Sequence, residues 1–312
     1  MNIFKKDKDT APNPEPGQRA HATKHPELRV VTDAQPQRPT GQQGGQSQNI
    51  LLPKVKYKIA VASGKGGVGK STVATNLAIA MAQAGAKVGL LDADAYGPSI
   101  PTMMGVTEQP QTSPQRKLIP IVKHDIKLMS IGFLVPPEQA MIWRGPMLHS
   151  AIRQFLGDVE WGELDFLIID LPPGTGDVQL SLTQSLPLTG GILVTTPQNV
   201  ALADVRRGAA MFERLNVQIL GIVENMSYFI CPHGDKVEIF RSGGGKVISE
   251  KLGVPLLGQI PIDPEICDAG DSGVPIVASH PDSPQSKAFR QVAERLAEAA
   301  QNQDDTEELK IL

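Results

Sequence analysis

A glycine-rich segment at residues 64–71 limits the possible folds of this chain more than any other part of its sequence. Two glycines with four residues between them are followed by Lys and Ser, after an apolar run at 59–62 and before a helix-like run at 72–84. This is the pattern of a phosphate-binding loop. A turn that merely joins strand to helix is the alternative, but the four fixed positions rarely coincide by chance. The residues of this phosphate loop are Gly64, Lys65, Gly66, Gly67, Val68, Gly69, Lys70 and Ser71.

The loop predicts a nucleotide site because each of its residue types suits phosphate. Glycines let successive backbone N–H groups turn toward a polyphosphate, and the helix N-terminus adds its positive end. Lys70 neutralises phosphate charge, and the Ser71 hydroxyl can bind Mg²⁺. Lys65 occupies a position that the general pattern leaves free. It is either a solvated loop lysine or a second cation attracted to a nucleotide, its own or one held by a facing subunit.

The composition excludes several classes of protein. The net charge of the 312 residues is -3, which gives no global electrostatic case for nucleic-acid binding. The two cysteines are too few for a disulfide framework and favour a reducing, cytoplasmic setting. No run of about 18 apolar residues predicts a membrane span. We therefore expect a cytoplasmic protein with neither a nucleic-acid partner nor a membrane partner.

The apolar pattern predicts an α/β fold with a doubly wound, mostly parallel sheet. Residues 1–48 are rich in Pro, Gln and Gly and predict a disordered polar leader. Residues 49–301 form the expected phosphate-loop ATPase domain, and 302–312 an acidic tail. The predicted strands are 57–62, 87–91, 126–131, 165–169, 191–195, 218–223 and 255–260. The predicted helices include 71–84, 146–156, 178–185, 201–215, 245–252 and 286–300.

Carboxylates follow two of the predicted strands, where hydrolysis would need them. Asp92 and Asp94 lie at i and i+2 in an extended segment, so they face the same way and suit a metal or water site. Turn chemistry around the Gly-Pro pair that follows is the alternative. Asp170 ends an apolar strand, which is the usual source of the Mg²⁺-facing carboxylate. The amides of Gly174 and Gly176 could then sense a γ-phosphate.

Taken together, these motifs resemble the Mrp/ApbC branch of the MinD/ParA/NifH class of dimerising ATPases, whose members are ATP-dependent iron–sulfur cluster carriers. The resemblance covers residues 57–300. It implies a homodimer that sandwiches ATP and Mg²⁺, a bound [4Fe-4S] cluster, and apo iron–sulfur proteins as clients. The segments that carry the resemblance are 64–71, 91–101, 143–147, 170–177, 195–198 and 203–207.

The resemblance also implies roles for individual residues. Lys65 reaches the partner's nucleotide, while Lys70 and Ser71 serve the local phosphates and Mg²⁺. Asp94 orients the attacking water. The loops that flank the adenine contain Asn225 and Pro261, both at predicted strand ends.

The cluster site departs from the family pattern. Family members usually carry two cysteines, two residues apart, shortly after an Asn-Met-Ser segment, and here only Cys231 follows that segment. A dimer then offers two thiolates to a cluster that takes four ligands. His233 could supplement them, and Cys267 is another possible donor. The alternative for each is no ligand role, with Cys231 and Cys267 as small hydrophobes and His233 as a plain loop residue, and this alternative is stronger for Cys267 and His233 than for Cys231.

The resemblance leaves three functions open, of which the first is the leading hypothesis. The first is an ATPase that carries iron–sulfur clusters. The second is a ParA/MinD-like nucleotide-switched positioning or scaffold protein without a cluster, which would require a basic patch or a basic amphipathic helix. The predicted helix at 286–300 could be a surface anchor, but the acidic tail argues against this. The third, an electron-transferring reductase of the NifH type, also needs a fully ligated cluster.

Overall fold

The computed structural model describes residues 52–134, 145–241 and 243–311. The predicted leader at 1–48 and the Trp143-Arg144 pair of the resemblance lie outside these ranges. No helix within them has the length and apolar character needed to cross a membrane.

A sheet of eight strands forms the centre of the described part of the chain, in the order β12-β9-β8-β1-β7-β2-β6-β5. Seven strands run parallel and β5 pairs antiparallel with β6 at one edge. The strands are β1 Val55–Ala62, β2 Val88–Asp92, β3 Gln111–Thr112, β4 Leu118–Ile119, β5 Ile121–Lys123, β6 Ile126–Ser130, β7 Leu164–Asp170, β8 Gly190–Thr195, β9 Ile219–Glu224, β10 Phe229–Ile230, β11 Lys236–Val237 and β12 Leu256–Gln259.

Helices cover both faces of this sheet, which explains why its central strands are apolar without alternation. They are α1 Lys70–Gln83, α2 Ile100–Met103, α3 Gly145–Asp158, α4 Asp177–Ser185, α5 Asn199–Arg214, α6 Gly244–Leu252, α7 Pro264–Asp271, α8 Ile276–Ser279 and α9 Pro284–Ile311, with a 3-10 turn at Ile131–Leu134. Along β1, Ile59 and Val61 face the core that contains α1 and α9. Ala60 and Ala62 face the opposite core, which contains α3 and α5.

The predicted fold class is confirmed, and all seven predicted strands lie in the sheet. Their ends differ from the prediction by one or two residues. The prediction missed β5, the β10–β11 hairpin and α7. It also ended the last helix at residue 300, whereas α9 runs to Ile311 and so includes most of the segment predicted as a separate tail.

Candidate active site

The carboxyl ends of three neighbouring parallel strands define the site. β1 leads into the phosphate loop, and α1 begins at Lys70 after Gly69, which has φ 80° in the left-handed region. Asp92 ends β2 and Asp170 ends β7, and the two residues are directly paired in the register of those strands. This edge of a doubly wound sheet is where such folds bind ligands.

A cavity of 360 Å³ opens above the phosphate loop. The loop contributes Gly66, Gly67, Gly69, Lys70 and Ser71 to its lining, and Asp94 and Pro173 face it from the strand ends. It is thus a polar cavity with backbone N–H groups, a cation and a carboxylate, which is the donor set that a polyphosphate with Mg²⁺ requires.

Lys70 is the buried cation of this cavity. Its Nζ atom lies 2.7 Å from Asp170 Oδ1 and 3.4 Å from Asp94 Oδ2, with the lysine side chain 5% exposed. Burial lowers the pKa of Lys70, but attraction to Asp170 and Asp94 outweighs burial and leaves that pKa above its ordinary value. Lys70 is therefore charged, and it places one positive charge between the carboxyl groups of Asp170 and Asp94.

Ser71 and Asp170 fit a Mg²⁺ site together. The Ser71 hydroxyl donates to Asp170 Oδ2 at 2.6 Å and accepts from Lys70 Nζ at 3.4 Å, which leaves one lone pair for a cation at the cavity. Asp170 is fully buried, and both its oxygens accept from protein donors, so it orients Ser71 and adds negative charge. Within the described ranges, no group of three or more His, Cys, Asp and Glu side chains is arranged to hold a metal. A hydroxyl that shares the cation with phosphate oxygens satisfies Mg²⁺ without such a group.

Asp92 has a different environment from the one the sequence suggests. Its oxygens accept from the Ser130 hydroxyl at 2.9 Å and from the backbone N–H groups of Asp94 and Ile100 at 3.1 and 3.3 Å. Burial, followed by repulsion from Asp170, raises the pKa of Asp92 to about 8. Because its acceptors are used to hold the chain after β2, this geometry favours an anchoring role over the predicted Mg²⁺-binding role. Ser130 was missed because nothing in the sequence links β6 to Asp92.

Asp94 does face the cavity. It is 7% exposed, lines the phosphate cavity, and accepts the backbone N–H of Tyr96 through Oδ1 at 3.1 Å. Asp92 and Asp94 therefore point to different partners, since the chain leaves the strand between them. The arrangement leaves Asp94 beside Lys70 at the phosphate cavity, where a carboxylate can orient a water.

A second, apolar pocket of 550 Å³ adjoins the phosphate loop and shares Gly69 and Thr72 with the first cavity. Asn225 and Pro261, the two residues implied to flank an adenine, both line it. The Asn225 side-chain amide donates to the Val68 carbonyl at 2.9 Å, which joins this pocket to the phosphate loop. The two spaces together have the polar and apolar halves expected of a nucleotide site.

α7 supplies residues that the sequence analysis did not place at the site. Ile266 and Cys267 line both spaces, and Asp271 lines the phosphate cavity. The start of this helix carries a recognisable signal, because Asp263 caps it by accepting the Glu265 N–H, with Pro at the first helical position. The Cys267 thiol thus lies against the nucleotide spaces, 3.8 Å from an Asp271 carboxylate oxygen.

Close packing surrounds the first residues of the phosphate loop. A Cβ atom added to Gly64 would lie 2.1 Å from the Asp204 carbonyl oxygen on α5, so this position accepts no side chain. The Ser63 hydroxyl donates to the Lys65 carbonyl at 2.9 Å and fixes the turn. Lys65 is half-buried, and none of the described carboxylates forms an ion pair with it.

The predicted cluster residues lie on the β10–β11 hairpin. Cys231 is half-buried and His233 is exposed at the turn, which is closed by the bond from the Gly234 N–H to the Cys231 carbonyl at 2.8 Å. Residues 227–241 and 243–245, which contain this hairpin, are called the hairpin segment. Three of its apolar side chains are exposed, by 39% for Ile230, 44% for Val237 and 51% for Ile239. Cys231 and Cys267 are therefore in different settings, one on the hairpin and one at the nucleotide spaces.

A family model described as "ParA: NUBPL iron-transfer P-loop NTPase" matches residues 54–297. The chain belongs to this family. The match includes every strand of the central sheet and the whole of the nucleotide site, so the two spaces above the phosphate loop are those of a P-loop NTPase.

Individual members and neighbours agree with the family assignment. An iron-sulfur cluster carrier protein from Synechocystis sp. is 54% identical over 264 residues, which are 83% of this chain and 75% of that protein. Among solved structures, a nucleotide-binding protein from Archaeoglobus fulgidus in complex with ADP is 41% identical, with a TM-score of 0.67, covering 77% of this chain and 93% of that one. The cell division ATPase MinD of Pyrococcus furiosus is 25% identical, with a TM-score of 0.58, over 78% and 98% of the two chains.

Proposed function

We propose that this chain is an ATP-hydrolysing iron–sulfur cluster carrier that works as a homodimer in the cytoplasm and passes its cluster to apoproteins. The strongest structural support is the position of the hairpin. The hairpin that holds Cys231 also forms a wall of the apolar pocket, through Phe229 and Ile239. A nucleotide in that pocket therefore touches the element on which a cluster would be held. The family and the cluster carriers within it support the same function.

The nucleotide half of the function assigns a task to each residue of the site. The adenine occupies the apolar pocket between Asn225 and Pro261, and the phosphates lie against the loop N–H groups and Lys70. Mg²⁺, bound by Ser71 and the phosphate oxygens, withdraws charge from the terminal phosphate. Asp94 orients a water for attack on that phosphate. We expect slow basal turnover of ATP, because hydrolysis here controls the timing of a conformational change rather than a metabolic flux.

A second copy of the chain would supply a contact for Lys65, cover for the exposed apolar hairpin residues and further ligands for the cluster. Lys65 is free of described carboxylate partners and extends from a phosphate-wrapping turn, which suits contact with the nucleotide of a second copy. The exposed apolar residues Ile230, Val237 and Ile239 suit burial between two hairpins. A two-fold axis there would bring two Cys231 thiolates to one cluster, with His233 as the available supplementary donor.

Anaerobic reconstitution with iron and sulfide tests the cluster half. We expect the full chain to bind about four iron atoms per two chains, as a [4Fe-4S] cluster would. Cys231→Ala should lose this iron, whereas the matched variant Cys267→Ala should retain it. Equal iron binding by wild type and Cys231→Ala would remove the proposed site.

Analytical ultracentrifugation with ATP tests the dimer. Wild type should dimerise when ATP and Mg²⁺ are added, and Lys65→Ala should bind a fluorescent ATP analogue yet stay monomeric. A Lys65→Ala protein that dimerises as well as wild type would contradict the role of Lys65 across the interface.

Co-sedimentation with DNA or with liposomes in the presence of ATP tests the scaffold alternative. Clear binding to either would favour that alternative.

A further inference from the structure

Glu224 is a fully buried carboxylate that lines neither nucleotide space. It ends β9, and within the described ranges no cation forms an ion pair with it. Its charge is balanced by hydrogen bonds instead. Oε1 accepts from the Ser227 hydroxyl at 2.5 Å and from Gln259 Nε2 at 2.7 Å, while Oε2 accepts from the Gly245 backbone N–H. Burying such a group is costly unless its acceptors are filled, so this network calls for an explanation.

The three donors come from three separate segments of the chain, and all three reach the side chain of Glu224. Ser227 lies on the chain that leaves β9 toward the Cys231 hairpin. Gly245 is in the first turn of α6, where the chain returns from that hairpin, and an added Cβ atom there would lie 2.9 Å from the Glu224 side chain. Gln259 ends β12, two residues before Pro261 of the apolar pocket. Glu224 therefore holds both ends of the hairpin segment and one wall of the nucleotide pocket.

A carboxylate suits this position better than an amide because all three neighbours donate. It also lies at the N-terminus of α6, where its charge is favoured and where it satisfies an N–H that no side-chain cap reaches. Backbone bonds follow the same route. Ser227 N–H donates to the Ile260 carbonyl at 2.9 Å, and Ile262 N–H donates to the Tyr228 carbonyl at 2.7 Å. The hairpin base and the pocket wall thus form one connected unit.

We propose that Glu224 is a positioning residue that couples occupancy of the apolar pocket to the setting of the Cys231 thiol. The coupling rests on the proposed function in one respect, namely that a nucleotide base occupies the pocket. When the base contacts Phe229 and Ile239, the hairpin segment is braced on both sides of Cys231. Because Glu224 ties the ends of that segment to Gln259 and the Pro261 loop, the bracing restricts the Cys231 thiol.

The test measures how fast N-ethylmaleimide alkylates Cys231 in the full chain, with and without ADP and Mg²⁺. Mass spectrometry of the Cys231 peptide separates this rate from that of Cys267. In wild type we expect ADP to slow alkylation about fivefold or more, the lower end of the usual range for coupled sites. In Glu224→Gln, ADP should still bind, measured by calorimetry, but the two alkylation rates should become nearly equal. Glu250→Gln, an exposed charge change on α6, is the matched control and should behave as wild type.

Two further variants keep the test decisive if Glu224→Gln does not fold. Ser227→Ala removes the donor on the hairpin side and Gln259→Leu removes the donor on the pocket side, and each should reduce the effect of ADP on alkylation. A residue that only stabilises the fold would lower the melting temperature and leave the effect of ADP intact, which would overturn the proposal. Binding of ADP with no change of the Cys231 rate in wild type would also overturn it, while the proposed function would stand. Failure of wild type to bind ADP would instead count against the proposed function.

Discussion

Replacing Lys70 by Met should destabilise the protein strongly, even before any activity is measured. The Lys70 Nζ atom lies 2.7 Å from an Asp170 oxygen, so their gross attraction is about 6 kcal/mol at an effective dielectric constant of 20. Lys70→Met keeps the length of the stem but leaves Asp170 fully buried without its cation, and because burial already raises the pKa of Asp170, protonation of this carboxyl relieves part of the loss. Breaking one partner of such a pair costs roughly 3–5 kcal/mol. For a domain of this size that corresponds to a fall in melting temperature of roughly 6–20 °C.

Thermal unfolding followed by circular dichroism measures this loss, and a double-mutant cycle assigns it. Lys70→Met/Asp170→Asn lacks both charges of the pair, so it should recover much of the stability that Lys70→Met loses. Because the pKa of Lys70 lies above its ordinary value, its stabilising charge is present at neutral pH and is lost only as the pH rises through that raised value. A Lys70→Met protein within about 1 kcal/mol of wild type would refute the reasoning, as would a double variant no more stable than Lys70→Met.

Three further outcomes follow from the site. Gly69→Ala should weaken binding of a fluorescent ATP analogue, because an added Cβ atom would lie 2.2 Å from Asn225 Nδ2 and displace that amide from the Val68 carbonyl, whereas Gly67→Ala has a similar φ of 79° with open space around it and should bind more tightly than Gly69→Ala. Asp94→Ala should bind the analogue but lower phosphate release about 10²-fold, and normal turnover would contradict its role. Because the pKa of Asp92 is raised, the folded protein holds more protons than the unfolded chain between about pH 4 and 8, and its free energy of unfolding should fall as pH rises through that window. Asp92→Asn should make this fall less steep, which urea titrations at several pH values would measure.

The sequence was most informative where the chemistry depends on strand ends. Asp170 could be placed beside Ser71 because both follow neighbouring parallel strands, and parallel strands bring their carboxyl ends to one edge. The seven central strands were predictable for a related reason. Residues buried on both faces of a sheet form continuous apolar runs that the chain shows directly.

Short elements and side-chain directions could not be obtained in this way. β10 and β11 have two residues each, too few to show any period, so the hairpin of Cys231 was not foreseen. The anchoring of Asp92 depends on Ser130, which comes from a neighbouring strand, 38 residues away. The direction of the Asp92 side chain is therefore decided by tertiary contacts. For the cluster, the limit is different in kind, because the remaining ligands would belong to a second copy of the chain.

The phosphate loop is contiguous in the chain, but the residues that hold it in place are synthesised much later. Lys70 meets Asp170 across 100 residues of chain, and Asn225 reaches back to Val68 across 157. At the usual pace of translation, roughly 8 to 30 s separate the synthesis of Val68 from that of Asn225. Before β7 and β8 are synthesised, β1 lacks the two strands that pair with it on either side. Its unpaired edges and apolar side chains are then exposed to aggregation or to binding by a chaperone. The nucleotide site is therefore complete only after synthesis has passed Asn225 and the other late residues that line the apolar pocket.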